Sequence, residues 1–149
     1  MNALVDTERR TAEREVIEIS IPSSVDLVVL ARFTAATIGA RAGFDLDEMD
    51  DLKLAVDELT ISFGPLDGET CLRFEFLREG DTVTVHCARE HLAGLLGEHH
   101  RSERDVMNWE QARELSEQLL NELVDSHGQG VTNGRSVSWL RKRHCASPQ

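Results

Sequence analysis

This chain has no run of ~18 apolar residues, so no segment of it reads as a membrane-spanning helix. Its opening stretch, MNALVDTERRTAERE, contains no apolar core and does not read as a secretory signal. No CxxC pair occurs among its three cysteines, Cys71, Cys87 and Cys145, and an odd set without pairing fits free thiols in a reducing compartment. A cytoplasmic protein without a membrane partner is therefore expected. Basic residues are scarce as well: 16 Lys and Arg stand against 27 Asp and Glu, a net charge of −11. Such a balance opposes direct binding to a phosphate backbone. Any link to transcription is expected to run through another protein, and an acidic chain suits a basic one. The one basic cluster, Arg141, Lys142, Arg143 and His144, reads as a solvated, frayed terminus. Internal repeats and low-complexity tracts are absent too.

What is present suits one globular domain: 149 residues, 40% hydrophobic and 29% charged. Residues 1–14 read as a flexible leader, 15–143 as the domain and 144–149 as a tail. Ile17, Ile19 and Ile21 alternate with Glu18 and Ser20, a half-buried strand ended by Pro22. Ser23 or Ser24 is placed to cap a helix to about Ala42, with Val28, Ala31, Ala35, Ile38 and Ala42 as its buried stripe. A second helix opens near Asp45 or Asp47, whose carboxylates suit the positive end of the helix dipole. It carries Met49, Leu52, Val56, Leu59 and Phe63 and stops at Gly64-Pro65. Leu72, Phe74 and Phe76, then Val83, Val85 and Cys87 across the Gly80 turn, read as a hairpin. Residues 88–107 read as an irregular lid. From Asn108 a helix is expected with Ala112, Leu115, Leu119 and Leu123 on one face, and Val137 and Trp139 mark a closing strand. This order predicts an α/β two-layer sandwich, a mixed and mostly antiparallel sheet with helices on one face.

One segment is specific. RAGFDLDEMDDLKLAVDEL, Arg41 to Leu59, resembles the second helix of the anti-sigma factor and serine-protein kinase family of stress and sporulation regulators. That family belongs to the histidine-kinase-like ATPase superfamily with the Bergerat fold. The match is dense at Gly43, Asp47, Glu48, Asp51, Leu52, Lys53, Ala55, Val56 and Glu58. Ala31-Arg32-Phe33 falls where the family's first helix carries an arginine between apolar residues. The resemblance implies partner switching: the protein sequesters an alternative sigma factor and is released by an anti-anti-sigma protein of the STAS type. It also implies a homodimer formed through the sheets, for which Ile17, Ile19 and Ile21 offer an apolar face.

Family kinases carry a glutamate and, one helical turn later, an asparagine that helps hold Mg²⁺ against the phosphates. Here Glu58 is retained as the possible base, but Ser62 stands at the asparagine position. The adenine-reading aspartate and its glycines give way to Cys87-Ala88-Arg89-Glu90. The glycine-rich phosphate loop, whose bare amides would cradle phosphates, gives way to MNWEQARELSEQL with Trp109 and Glu110. The expectation is a degenerate member without kinase activity and without a cofactor, ATP and Mg²⁺ entering only if the pocket functions. Two other readings stand beside it: an active serine-protein kinase acting on the anti-anti-sigma factor, and a small-ligand sensor using a pocket lined by Glu58, Ser62, Ala88 and Trp109. Arg32 is the expected partner-binding residue, since a guanidinium on an apolar helix makes a good interface anchor. His86, His91, His99 and His100 with Cys87 have no standard zinc spacing, so no metal is expected. A Cys71–Cys87 disulfide is disfavoured, because pairing around Gly80 does not set the two opposite.

Overall fold

Period-two alternation builds the sheet and three-four spacing builds the helices, so both layers follow from the order of apolar residues. The computed structural model describes residues 13–66, 68–91 and 103–146. In chain order the elements are β1 (Arg14–Pro22), α1 (Val28–Arg41), α2 (Leu46–Ile61), β2 (Thr70–Glu79), β3 (Thr82–His91), α3 (Glu103–Leu123), β4 (Ser126–Thr132) and β5 (Arg135–Arg143). The strands form one sheet in the order β1-β2-β3-β5-β4, and every neighbouring pair is antiparallel. The helices cover one face, giving the α/β two-layer sandwich. Among the described residues no helix is long and apolar enough to cross a membrane.

The core lies between the layers. Val28, Ala31, Ala35, Ile38 and Ala42 of the α1 segment are all buried, as the spacing predicts. So are Leu52, Val56, Leu59 and Phe63, with Met49 packed at their margin. Beneath them lie Leu72, Phe74 and Phe76 of β2, Val83, Val85 and Cys87 of β3, and Leu140 of β5. Ile21 is buried and Ile17 and Ile19 pack against the same cluster. The isoleucine face of β1 is thus spent on the helix layer, and it offers no ground for a dimer through the sheet.

Local chemistry sets the helix ends. Asp45 caps α2 in a full capping box: its carboxylate accepts from Glu48 N at 2.8 Å, and Glu48 Oε1 accepts from Asp45 N at 3.1 Å. The start of α1 departs from the serine cap that its sequence suggests. Its N-cap is Leu27, without a side-chain bond. Ser23 is fully buried and receives the Thr70 hydroxyl at 2.9 Å, while Ser24 O closes a turn by accepting from Leu27 N and Val28 N. Both serines are thereby diverted from capping.

Three further expectations are corrected. The 88–107 stretch is regular at both ends, because Ala88–His91 continue to pair with Thr70–Arg73 and α3 opens at Glu103; residues 92–102 lie outside the described ones. The α3 face is rotated from the expected one: Ser116, Leu120 and Val124 are buried, whereas Leu115 and Leu119 are 62% and 39% exposed. That rotation brings Ser116 Oγ to within 3.0 Å of Glu58 O, which accepts its hydrogen bond. A fifth strand, β4, is hidden in the sequence by Gly128 and Gly130. Gly128 is needed because Trp139 lies across it; an added Cβ would sit 2.9 Å from the indole Nε1.

The basic C-terminal cluster is held rather than frayed. Arg143 N donates to Asp125 Oδ2 at 2.6 Å, His144 N to Asp81 O at 2.9 Å and Cys145 N to Glu48 Oε2 at 2.9 Å. Lys142 Nζ donates to Leu123 O at 2.7 Å, capping the negative end of α3. His144 Nδ1 lies 2.7 Å from Glu48 Oε1, and the acceptor-only carboxylate assigns the proton to that nitrogen. Burial opposes ionisation of Glu48, but the Cys145 and Asp45 amides and His144 outweigh it and hold its pKa below the ordinary value. The last strand is thereby strapped to α2, to the β2–β3 turn and to the end of α3.

Candidate functional site

The residues singled out by sequence sit around the C-terminal end of α2, where it meets the ends of β2 and β3. Glu58 and Ser62 are four apart, so α2 places them on one side. Glu58 is half-buried and faces α3 through its carbonyl bond from Ser116. Ser62 is the C-cap residue, and its hydroxyl donates back to Leu59 O at 2.9 Å. That bond spends its only proton on the helix end, leaving the oxygen as an acceptor of short reach.

Ala88 is placed elsewhere. Its register partners are Arg73 and Val137, while its neighbour Cys87 is buried with the helix-facing row. Alternation therefore turns Ala88 to the face away from the helices, and the structure does not bring it beside Glu58 and Ser62. Trp109 belongs to α3, but its side chain lies outside the described residues.

Arg89 is the residue that sequence reasoning passed over. By the same alternation it points to the helix side, as Cys87 and Val85 do. Its Nε donates to Thr70 Oγ1 at 3.0 Å, and its Nη1 donates to the Phe63 carbonyl just past the end of α2. Thr70 in turn bonds Ser23, and Gly68 N donates to Ser23 O. A charged guanidinium thus ties α2, β2 and β3 together at the mouth between the two layers. The signal was available: Arg89 is two residues past a buried strand position, so its side chain had to enter the interlayer space.

Arg32 lies at the seam of the two long helices. Its Nε is 3.3 Å from Asp57 Oδ1, an ion contact without hydrogen-bond geometry. The Arg32 side chain is 41% exposed. Burial raises the Asp57 pKa, Arg32 lowers it and Glu58 adds to the rise; the carboxyl stands above its ordinary value.

Cys71 and Cys87 are both free, and alternation puts them on opposite faces of the sheet, where no disulfide can join them. Burial pushes the fully enclosed Cys87 thiol pKa far up, so the group is inert. His86 and Cys87 are consecutive in β3 and point apart; His86 lies 4.0 Å from Glu75 instead. Among the described residues no three His, Cys, Asp or Glu side chains converge on a metal position. His99, His100 and the His91 side chain lie outside the described residues.

The fold thus defines an α/β sandwich with a polar, arginine-tied junction where α2 meets the sheet. No family model matches the chain. Over 44 residues it is 41% identical to the serine-protein kinase RsbW of Bacillus mycoides (strain KBAB4). Over the same length it is 39% identical to the protein of that name from Bacillus cereus (strain AH187). Each match takes in 30% of this chain and only 28% of the relative's length. These local similarities support a distant relation to the anti-sigma factor and serine-protein kinase family.

Proposed function

We propose that this protein is an anti-sigma factor: it sequesters an alternative sigma factor, is released by an anti-anti-sigma protein, and transfers no phosphate. The observation that carries the reading is the RsbW-like similarity in a chain whose nucleotide-contacting positions are altered. Ser62 replaces the Mg²⁺-binding asparagine and uses its proton on Leu59 O. Arg89, with its neighbours, occupies the stretch where the family reads adenine, and it is committed to Thr70 and Phe63. Each lost hydrogen bond to a charged group is worth about 1.5–3 kcal/mol, so three altered motifs lower nucleotide affinity by orders of magnitude.

Two experiments test this. Calorimetry with ATP and Mg²⁺ should show no saturable binding in the low micromolar range; binding that is lost in Glu58→Ala would instead support the kinase. Titration of the host's purified alternative sigma factors should find one that binds. There, Arg32→Ala should weaken binding about thirtyfold, the usual cost of truncating a central interfacial arginine. Its melting temperature should hardly change, since the Arg32–Asp57 contact is half-exposed. Arg73, which contacts Glu18 and Glu90 on the uncovered sheet face, supplies the control: Arg73→Ala should bind normally.

A further inference from the structure

Helix α1 is apolar on all sides. From Val28 to Arg41 it contains no Asp or Glu, and its two charges, Arg32 and Arg41, are both engaged, with Asp57 and Glu15. One side is core: Val28, Ala31, Ala35 and Ile38 are buried. The other carries Leu30 and Phe33, 48% and 65% exposed, in line with Thr37 one turn on. The hydroxyls of Thr34 and Thr37 donate at 2.8 Å to Leu30 O and Phe33 O, which satisfies their polar atoms within the helix and leaves methyl groups for the surface. A helix that is hydrophobic all round normally lies inside a core. Here half of it faces outward, beside a helix of the opposite character. Over Leu46–Ile61, α2 holds six Asp and Glu against one Lys. Its positions 47, 50 and 54 fall on one side by three-four spacing, and Asp47, Asp50 and Leu54 are all exposed there.

We infer that the Leu30–Phe33–Thr37 stripe, bordered by the α2 carboxylates, is the docking surface for an amphipathic helix whose apolar ridge is flanked by Lys and Arg. The stripe supplies a ridge for helix-on-helix packing, and the α2 row supplies the matching charge. A second copy of this chain is the poorer occupant, because it would bring two acidic α2 rows towards each other. The inference rests on the sequestration reading only for the identity of the protein that carries the helix.

The probe is a synthetic helical peptide of about 18 residues, roughly five turns, with a leucine ridge flanked by Lys and Arg. A control peptide carries Glu at the flanking positions. The full chain should bind the basic peptide saturably and the acidic one not at all. Phe33→Glu and Leu30→Glu should each weaken binding about thirtyfold or more, with unchanged circular dichroism, since both side chains project outward. Binding of the basic peptide by Phe33→Glu at wild-type strength or tighter would show bare charge attraction and overturn the inference. So would a wild-type dimer that Phe33→Glu converts to monomer in light scattering, or peptide binding that appears only after deletion of residues 1–12. The two readings separate cleanly. Peptide binding without any sigma-factor binding removes sequestration and keeps the surface. A sigma factor that binds Phe33→Glu as well as wild type keeps sequestration and removes the surface.

Discussion

Helices α1 and α2 pack side by side, yet they are stabilised by different means. α2 has a complete capping box at Asp45 and Glu48, carboxylates in its first turn and one buried stripe, so its sequence alone argues for a helix. α1 has no side-chain cap, no acidic residue in its first turn and apolar residues on both sides. It is a helix because its neighbours bury it and because Ser24 starts its first turn through the backbone. Where local signals are complete the outer side is free to be charged. Where they are missing, tertiary burial does the work and the outer side is left apolar.

The largest expected effect tests which side of each helix carries stability. Leu52→Ala, at a fully enclosed position of α2, should cost about 2–5 kcal/mol in urea unfolding. Leu30→Ala, on the outer side of α1, should stay within about 0.5 kcal/mol. Similar losses at the two sites would mean that α1 is covered in solution.

Next comes Glu48, which serves α2 twice, as the reciprocal arm of its cap and as the anchor of the C-terminal strap. Glu48→Gln should cost about 1–3 kcal/mol and speed hydrogen exchange at the Cys145 amide; an unchanged exchange rate there would separate the strap from the cap. The pH dependence has a definite sign. Glu48 and Glu15 both have folded pKa values below the ordinary one. For Glu48 the amides of Cys145 and Asp45, with His144, overcome the opposing effect of burial. For Glu15 the Arg41 bond leads, burial opposes it and Arg78 adds to the lowering. Their contribution is complete above the unfolded carboxylate pKa, about 4.3, and is lost as pH falls through the lower folded values. Urea midpoints should therefore fall on acidification from about pH 6 to pH 3, and Glu48→Gln should show a smaller fall.

A smaller effect distinguishes the strand hidden by glycine. Gly128→Ala should cost about 1 kcal/mol and shift tryptophan fluorescence, because the new methyl pushes Trp139 off β4. Smallest of all is Asp57→Asn. It removes a carboxyl whose ionisation burial already disfavours, and the half-exposed partner Arg32 can turn to water; stability should change by less than about 1 kcal/mol.

Much of the site was legible only in part. The segment Arg41–Leu59 pointed to α2, and Glu58 and Ser62 do share one side of it. The likely pocket wall at Ala88 was not legible as placed, because residue type says nothing of strand parity; Cys87 holds the buried row, so Ala88 faces outward and Arg89 inward. Arg32 was legible as an unusual arginine, but its contact with Asp57 depends on how α1 and α2 pack.

By itself the sequence determined the two-layer architecture, the buried stripes of α1 and α2, the Asp45 cap and the β2–β3 hairpin. These follow from periodicity and from bonds within a few residues, which a linear reading captures. Only the tertiary structure decided the pairing of β4 with β5, the rotation of α3 that buries Ser116 and Leu120, the strap from Glu48 to Cys145 and the role of Arg89. Each of these joins groups far apart in the chain, and its energy exists only once the layers have closed and water has left the space between them.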